Sequence, residues 1–237
     1  GFCLVGSEMC IRDRVSALLH TQQLSLSAWE PYVRSRAQKA QSYERRWQRW
    51  LLNPRVCIRA IYLPLVLLAL KSWQSHRLYL ALDTTLVWNR LCMIHLSVVC
   101  CGRAVPLLWR VFEHPSASLA FEHYRPLLDQ ARELLRHHPD VMVLADRGFA
   151  NQELLKWLQA SPWHYCVRLP ADVIVHGPRR YPVTVGQIWP SRGEARLWNQ
   201  VALWQEARYR GNLVLAHLDG VADPWAVLTD QPASLKA

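Results

Sequence analysis

The sequence lacks most of what would mark a disulfide-bonded, zinc-clustered or membrane-spanning protein. Its seven cysteines, Cys3, Cys10, Cys57, Cys92, Cys100, Cys101 and Cys166, include no CxxC pair, and its ten histidines include no HxxxH pair. An odd, scattered set reads as reduced core thiols of a cytosolic protein, neither a disulfide framework nor a zinc site. Adjacent Cys100 and Cys101 are poorly placed to bridge to each other. Long apolar runs are missing too. The longest, residues 60–70, contains Pro64 and falls short of the roughly 20 residues a membrane helix needs; it reads as a buried helix. Acids are scarce, 18 Asp plus Glu against 28 Lys plus Arg, for a formal charge of +10. That imbalance favours a polyanionic partner, nucleic acid first and an acidic membrane surface second. There is no internal repeat and no low-complexity segment.

What is present can build a core: 51% of residues are apolar and 12 are Trp, in a chain of 237 residues that suits one moderately large domain or two small ones. The first fourteen residues stand apart. Residues 4–14, LVGSEMCIRDR, show no useful periodicity and resemble the in-frame translation of a sequencing-library adapter. Such scars are excluded from fold reasoning, and residues 1–14 are expected to be disordered or poorly packed. The alternative is a genuine N-terminal arm.

From residue 15 to about 70 the pattern is helical. Trp47, Trp50 and Leu51 fall at helical spacing while Arg45, Arg46 and Arg49 point elsewhere. Arg34, Arg36, Lys39, Arg55 and Arg59 lie nearby, with Glu44 the only acid among them, so the exposed face is strongly basic. A solvated amphipathic helix is one account of it; phosphate contact is the other. Residues 71–170 change texture. Three apolar runs of strand length, LYLALDTT, NRLCMIHLSVVCC and AVPLLWRVFEH, read as an antiparallel meander. An amphipathic helix over residues 121–138 follows, then the strand DVMVLAD, the helix NQELLKWLQA and the strand WHYCVRLP. Helical crossovers imply parallel pairing among the later strands. Residues 171–222 read as a β-rich insertion with Gly and Pro punctuation, and residues 223–237 as a strand returning to the main sheet.

Two aspartates stand out. Asp83 ends the first strand of the meander, and Asp146 ends the strand after the first crossover. If those strands are neighbours and parallel, both carboxylates emerge at one sheet edge, where ligand sites of open α/β sheets collect. Two carboxylates held together are tolerable with a divalent cation between them, and hard Mg²⁺ prefers such oxygens. The competing account is local: Asp83 before Thr84 and Thr85 can make an Asx turn, and Asp146 can close its strand or cap the next helix. Gly148 would supply the turn that starts that helix clear of the site.

These motifs resemble those of the DDE transposases of bacterial insertion sequences, family-four type. The resemblance rests on LALDTT at residues 80–85 and LADRGF at residues 144–149, with RRWQRWLLN, the element order and the insertion before WAVLTD in support. It implies an α/β fold, a ribonuclease H-like mixed sheet flanked by helices. It further implies two Mg²⁺ or Mn²⁺ ions held by Asp, Asp and Glu, with Asp83 and Asp146 as the first two. Double-stranded DNA would be the partner, with Arg45, Arg46, Arg49, Arg55 and Arg147 on it. Action as a homodimer, a bacterial cytoplasmic location near the nucleoid and no membrane partner go with that. The third ligand belongs to a Tyr-x2-Arg-x3-Glu-x6-Lys signature that is absent here. YERRWQRW starts like it at Tyr43 but carries Trp50 where the Glu would fall, and Glu194 and Glu206 lack the flanking pattern. The chain is therefore expected to stop short of its third carboxylate and to be inactive or nearly so. Trp198 and Trp204 read first as core residues and second as platforms for an unpaired base. Two other readings stay open: a non-enzymatic DNA-binding protein, and a ribonuclease H-like nuclease with another substrate.

Overall fold

Strand-length apolar runs after residue 77, alternating in LYLALDTT and continuous in VMVLA, set the strands, and the fold follows from how those strands order. In the computed structural model, ten strands form one sheet in the order β3-β2-β1-β4-β5-β10-β9-β8-β6-β7. The structure describes residues 4–23, 25, 27–32, 41–42, 45, 48–49, 52–54, 57–73, 76–176, 181–205 and 209–232, the side chains of 4–11 excepted. The chain divides into two units, residues 1–64 and 65–237.

In the first unit, α1 spans Leu4–Thr21. Of the segment expected to be disordered or poorly packed, the part from Leu4 onward is helical, which corrects the expectation of disorder there; residues 1–3 lie outside the described residues. The helix has no proline, and Gly6 is its weakest helix former. A single 3-10 turn, Glu30–Tyr32, follows, and the Tyr32 ring stacks on His20 of α1 with centroids 4.9 Å apart. Arg45 and Arg49 are helical and exposed, as the basic face requires; Arg46, Arg55, Trp47 and Trp50 lie outside the described residues. Helix α2, Ile58–Lys71, is not the buried helix its apolarity suggests. Ile58, Ile61, Leu65, Leu67 and Leu68 are exposed, and Leu70 is its one buried residue. A helix that is apolar all round can bury only the stripe that meets a neighbour. No helix among the described residues is long and apolar enough to cross a membrane.

The second unit opens with the meander β1 (Leu78–Val87), β2 (Leu91–Cys100) and β3 (Arg103–Glu113), antiparallel throughout. Helix α3 (Phe121–Leu134) carries the chain to β4 (Val141–Ala145), and α4 (Gln152–Gln159) carries it to β5 (His164–Arg168). Both β4 and β5 run parallel to β1, the pairing that helical crossovers dictate. Order 3-2-1-4-5 with the second strand reversed is the ribonuclease H-like arrangement. The second segment, β6 (Ile174–His176), β7 (Val183–Thr184), β8 (Glu194–Leu203) and β9 (Tyr209–His217), does not leave the sheet. It extends it, because β10 (Trp225–Thr229) pairs antiparallel with both β5 and β9.

One face of the sheet is packed. Leu78, Leu80 and Leu82 of β1, Val143 of β4 and Val167 of β5 share a core with Tyr124, Leu127 and Leu128 of α3 and Leu154, Leu155 and Leu158 of α4. Each such buried apolar side chain contributes about 1.5–3 kcal/mol. The stagger of α4 is set locally, since Asn151 Oδ1 caps it by accepting from Leu154 N at 2.8 Å. Of the residues of opposite parity, Tyr79, Asp83, Leu144, Cys166 and Arg168 are half-buried or exposed, while Ser97 and Met142 are buried. Trp198 and Trp204 pack against the core cluster, Trp204 edge-on to Tyr209 at 5.3 Å, so the core reading of both describes them. The cysteines are less uniformly core than expected: Cys92 is buried, Cys100 and Cys166 are half-buried, and Cys57 and Cys101 are exposed.

Candidate active site

Strand register places the two aspartates. Leu82 of β1 pairs with Ala145 of β4, and Ala145 pairs with Val167 of β5. The next residues along the three parallel strands are Asp83, Asp146 and Arg168, so these form a row at the carboxyl edge, with backbones about 4.8 Å apart from strand to strand. On the other side of Asp83, β2 supplies its directly paired residue, His95. All four positions have the parity of the open face.

The local accounts describe the aspartates in part: Asp146 does close its strand, since β4 ends at Ala145, but neither carboxylate makes the turn or cap bond expected of it. Asp83 is not a strand end, because β1 continues to Val87 in register with β2; only its pairing with β4 stops there. Its Oδ1 accepts from the adjacent Thr84 N at 2.8 Å, and there is no turn for an Asx bond to close. Asp146 precedes a 3-10 turn, Arg147–Phe149, yet its carboxylate makes no cap bond; the hydrogen bond from Phe149 N, 2.9 Å, goes to its carbonyl. Gly148 sits inside that turn with an ordinary backbone conformation and open space where a Cβ would be, so the glycine is not required there.

Both carboxylates are therefore exposed and lightly engaged. Asp83 is 63% exposed, with Oδ2 3.9 Å from His95 Nε2; Asp146 is 60% exposed, with Oδ1 3.8 Å from Arg168 Nη1. Contacts of that length between exposed groups contribute little. The two partners are held by other means. His95 Nδ1 is 2.9 Å from the hydroxyl of Ser97, itself fully buried. The Arg168 guanidinium lies over the Trp225 ring, 4.8 Å from its centroid. Neither His95 nor Arg168 was found from sequence. The signal was available only through register, which puts a residue from β2 and one from β5 beside carboxylates far away along the chain.

Donor chemistry fits a hard divalent cation in kind: two exposed carboxylates on neighbouring strands, Asp83 engaged only by Thr84 N. It falls short in number. Among the described residues no group of three or more His, Cys, Asp or Glu is placed to hold a metal ion. Glu194 cannot complete the set. It opens β8, four strands from β4, about 19 Å away at the usual strand spacing, and its Oε2 is engaged by Arg196 and Ser191 N, each at 3.2 Å. Glu206 lies outside the described residues. Arg147 is exposed immediately after Asp146.

Residues 89–213 match the family described as Transposase DDE domain, a span of just over half the chain that contains His95, Asp146 and Arg168 and begins after Asp83. No curated protein matches the sequence. Among solved structures, the chain is similar to the piggyBac transposase synaptic complex with hairpin DNA, at 9% identity and a TM-score of 0.42, over 67% of this chain and 34% of that one. It is also similar to Marinitoga piezophila Argonaute in complex with 5′ OH guide RNA and target DNA, at 8% identity and a TM-score of 0.31, over 68% and 23%. The same Argonaute with guide RNA matches at 12% identity and a TM-score of 0.30, over 65% and 22%. The chain spans about a third or less of the length of these structures.

Proposed function

The chain belongs to the transposase DDE domain family, and from that premise we propose that it acts on double-stranded DNA, by metal-dependent phosphodiester cleavage and strand transfer at transposon ends. The observation that carries this reading is the register of β1 on β4, which sets Asp83 beside Asp146 on the open face of the sheet. Asp83 and Asp146 would hold Mg²⁺ or Mn²⁺. When bound, such ions activate the attacking oxygen and stabilise the leaving one in an in-line displacement. The protein's own part is to present the two carboxylates without occupying them: neither caps a helix, and the nearest basic side chains, His95 and Arg168, approach only to 3.9 and 3.8 Å. Arg168, braced on Trp225, offers a planar cation to the phosphate side of the row. Arg45, Arg49 and Arg147, exposed and of one sign, suit contact with the DNA backbone along with Arg46 and Arg55. Pairing of two DNA ends by a homodimer belongs to the same reading.

Two carboxylates are a partial set. Electrostatic stabilisation of the leaving oxygen is worth several kcal/mol in such sites, and no third carboxylate among the described residues shares the row. On this reading the 237-residue chain binds DNA and nicks it slowly or not at all. Incubation of supercoiled plasmid with Mn²⁺ tests both parts. DNA retention should fall steeply with salt, and whatever nicking occurs should vanish in Asp83→Asn and in Asp146→Asn. Nicking that survives both substitutions would sink the reading. Robust nicking lost in Asp146→Asn and kept in Glu194→Gln and Glu206→Gln would show that two carboxylates suffice. Salt-sensitive binding with no dependence on either aspartate or on metal would leave a DNA-binding protein without catalysis.

A further inference from the structure

The tip of the β2–β3 hairpin carries a feature that neither the fold nor the candidate active site uses. Cys100 pairs across the hairpin with Arg103, so Cys101 and Gly102 form a two-residue loop. Both have positive φ, 49° and 71°, the signature of a type I′ turn, whose first position ordinarily takes Asn, Asp or Gly. A cysteine there is conformationally costly, and packing gives no reason for it, because Cys101 is exposed. Its Sγ lies 3.7 Å from the Sγ of Cys100. At that separation the pair is placed for one thiophilic centre to bond both sulfurs. Beside it lies an apolar cavity of about 190 Å³, bounded by Cys100 itself with Val66, Leu70 and Trp73 on one side and Val105 and Pro106 on the other.

We propose that Cys100 and Cys101 form a two-thiol site for a soft, thiophilic centre bearing an apolar group, of which a trivalent aryl arsenical is the simplest example. The two thiols condense with R–As=O: each S–H bond and the As=O bond break, two As–S bonds form, and one water leaves. Arsenic stays trivalent, so no oxidant or reductant is required. The hydrogen bond with Cys101 and then burial push the Cys100 thiol up. The apolar substituent enters the adjoining cavity, which explains the pairing of a dithiol with an apolar wall. Sulfur softness sets the ligand class.

Phenylarsine oxide, added at one equivalent to the reduced chain, is the probe, with intact mass and free-thiol titration as readouts. One aryl-arsenic adduct should form, and the thiol count should fall from seven to five. Cys100→Ser and Cys101→Ser should each lose the adduct, while Cys57→Ser keeps it. Cys101→Gly, which suits the left-handed turn, guards against loss through misfolding and should also abolish it. Release by a competing dithiol should need about tenfold more competitor for the phenyl than for the methyl arsenical, the worth of burying a ring. An adduct that persists without Cys100 or Cys101, or equal release of the two arsenicals, overturns the proposal.

Discussion

The two ends of the same parallel strands hold aspartates in opposite ways. At the amino edge, both oxygens of Asp140 accept from Arg77 Nε, at 3.0 and 2.9 Å, and Arg77 reaches on to Gln231 Oε1 at 3.2 Å. The Asp140 bond pushes the Arg77 guanidinium further up. Asp230 there meets His164 Nδ1 at 2.6 Å and accepts from Tyr165 N at 3.0 Å. At the carboxyl edge, Asp83 and Asp146 sit nearly twice as exposed, 3.9 and 3.8 Å from the nearest nitrogens of His95 and Arg168. A carboxylate spent on protein donors locks chain segments together, whereas one left open is available to a ligand. Local sequence does not distinguish them, since each stands at the edge of an apolar run.

Substitution should break this comparison in graded steps. The largest effect is on chemistry: Asp83→Asn or Asp146→Asn should remove metal-dependent DNA nicking altogether in the same plasmid assay, whatever the starting rate. Next comes alkaline stability. Burial pushes the Tyr124 phenol up to about 12, and the unfolded group titrates near 10. Because the folded pKa is the higher, its contribution is complete below pH 10 and is lost as pH rises from 10 to 12, by about 3 kcal/mol at most. Denaturant melts across that range should show the decline, and Tyr124→Phe should flatten it. Smaller again, Asp140→Asn should cost about 1–2 kcal/mol, since it strips charge from a bonded, half-buried carboxylate. Smallest of all, the same change at Asp83 or Asp146 should move stability by no more than about 0.5 kcal/mol in a urea melt. A cost at Asp146 equal to that at Asp140 would erase the distinction between the edges.

Much of the fold and half of the row are legible in the residues. LYLALDTT and DVMVLAD read as strands because apolar side chains fill them, and the helix between them forces parallel pairing. That pairing alone puts Asp83 and Asp146 at one edge. What stays hidden depends on register or on neighbours. Asp83 looks terminal because polar Thr84 and Thr85 follow it, yet β2 carries the strand on to Val87. His95 and Arg168 join the row only through cross-strand alignment. The insertion reads as separate, whereas β10, lying between β5 and β9, makes it one sheet. Helix α2 reads as buried because apolarity does not say how many sides meet a partner. The adapter-like start reads as unstructured, yet its residues from Leu4 are helical.

The central claim is that Asp83 and Asp146 serve one metal site. Electron paramagnetic resonance of Mn²⁺ titrated into the chain tests it most directly, because it counts bound ion without requiring activity. Wild type should bind Mn²⁺, and Asp83→Asn and Asp146→Asn should each abolish the same binding, with the double variant no worse than either. Binding that survives either single substitution, or that falls by separate, additive steps, would contradict a shared site.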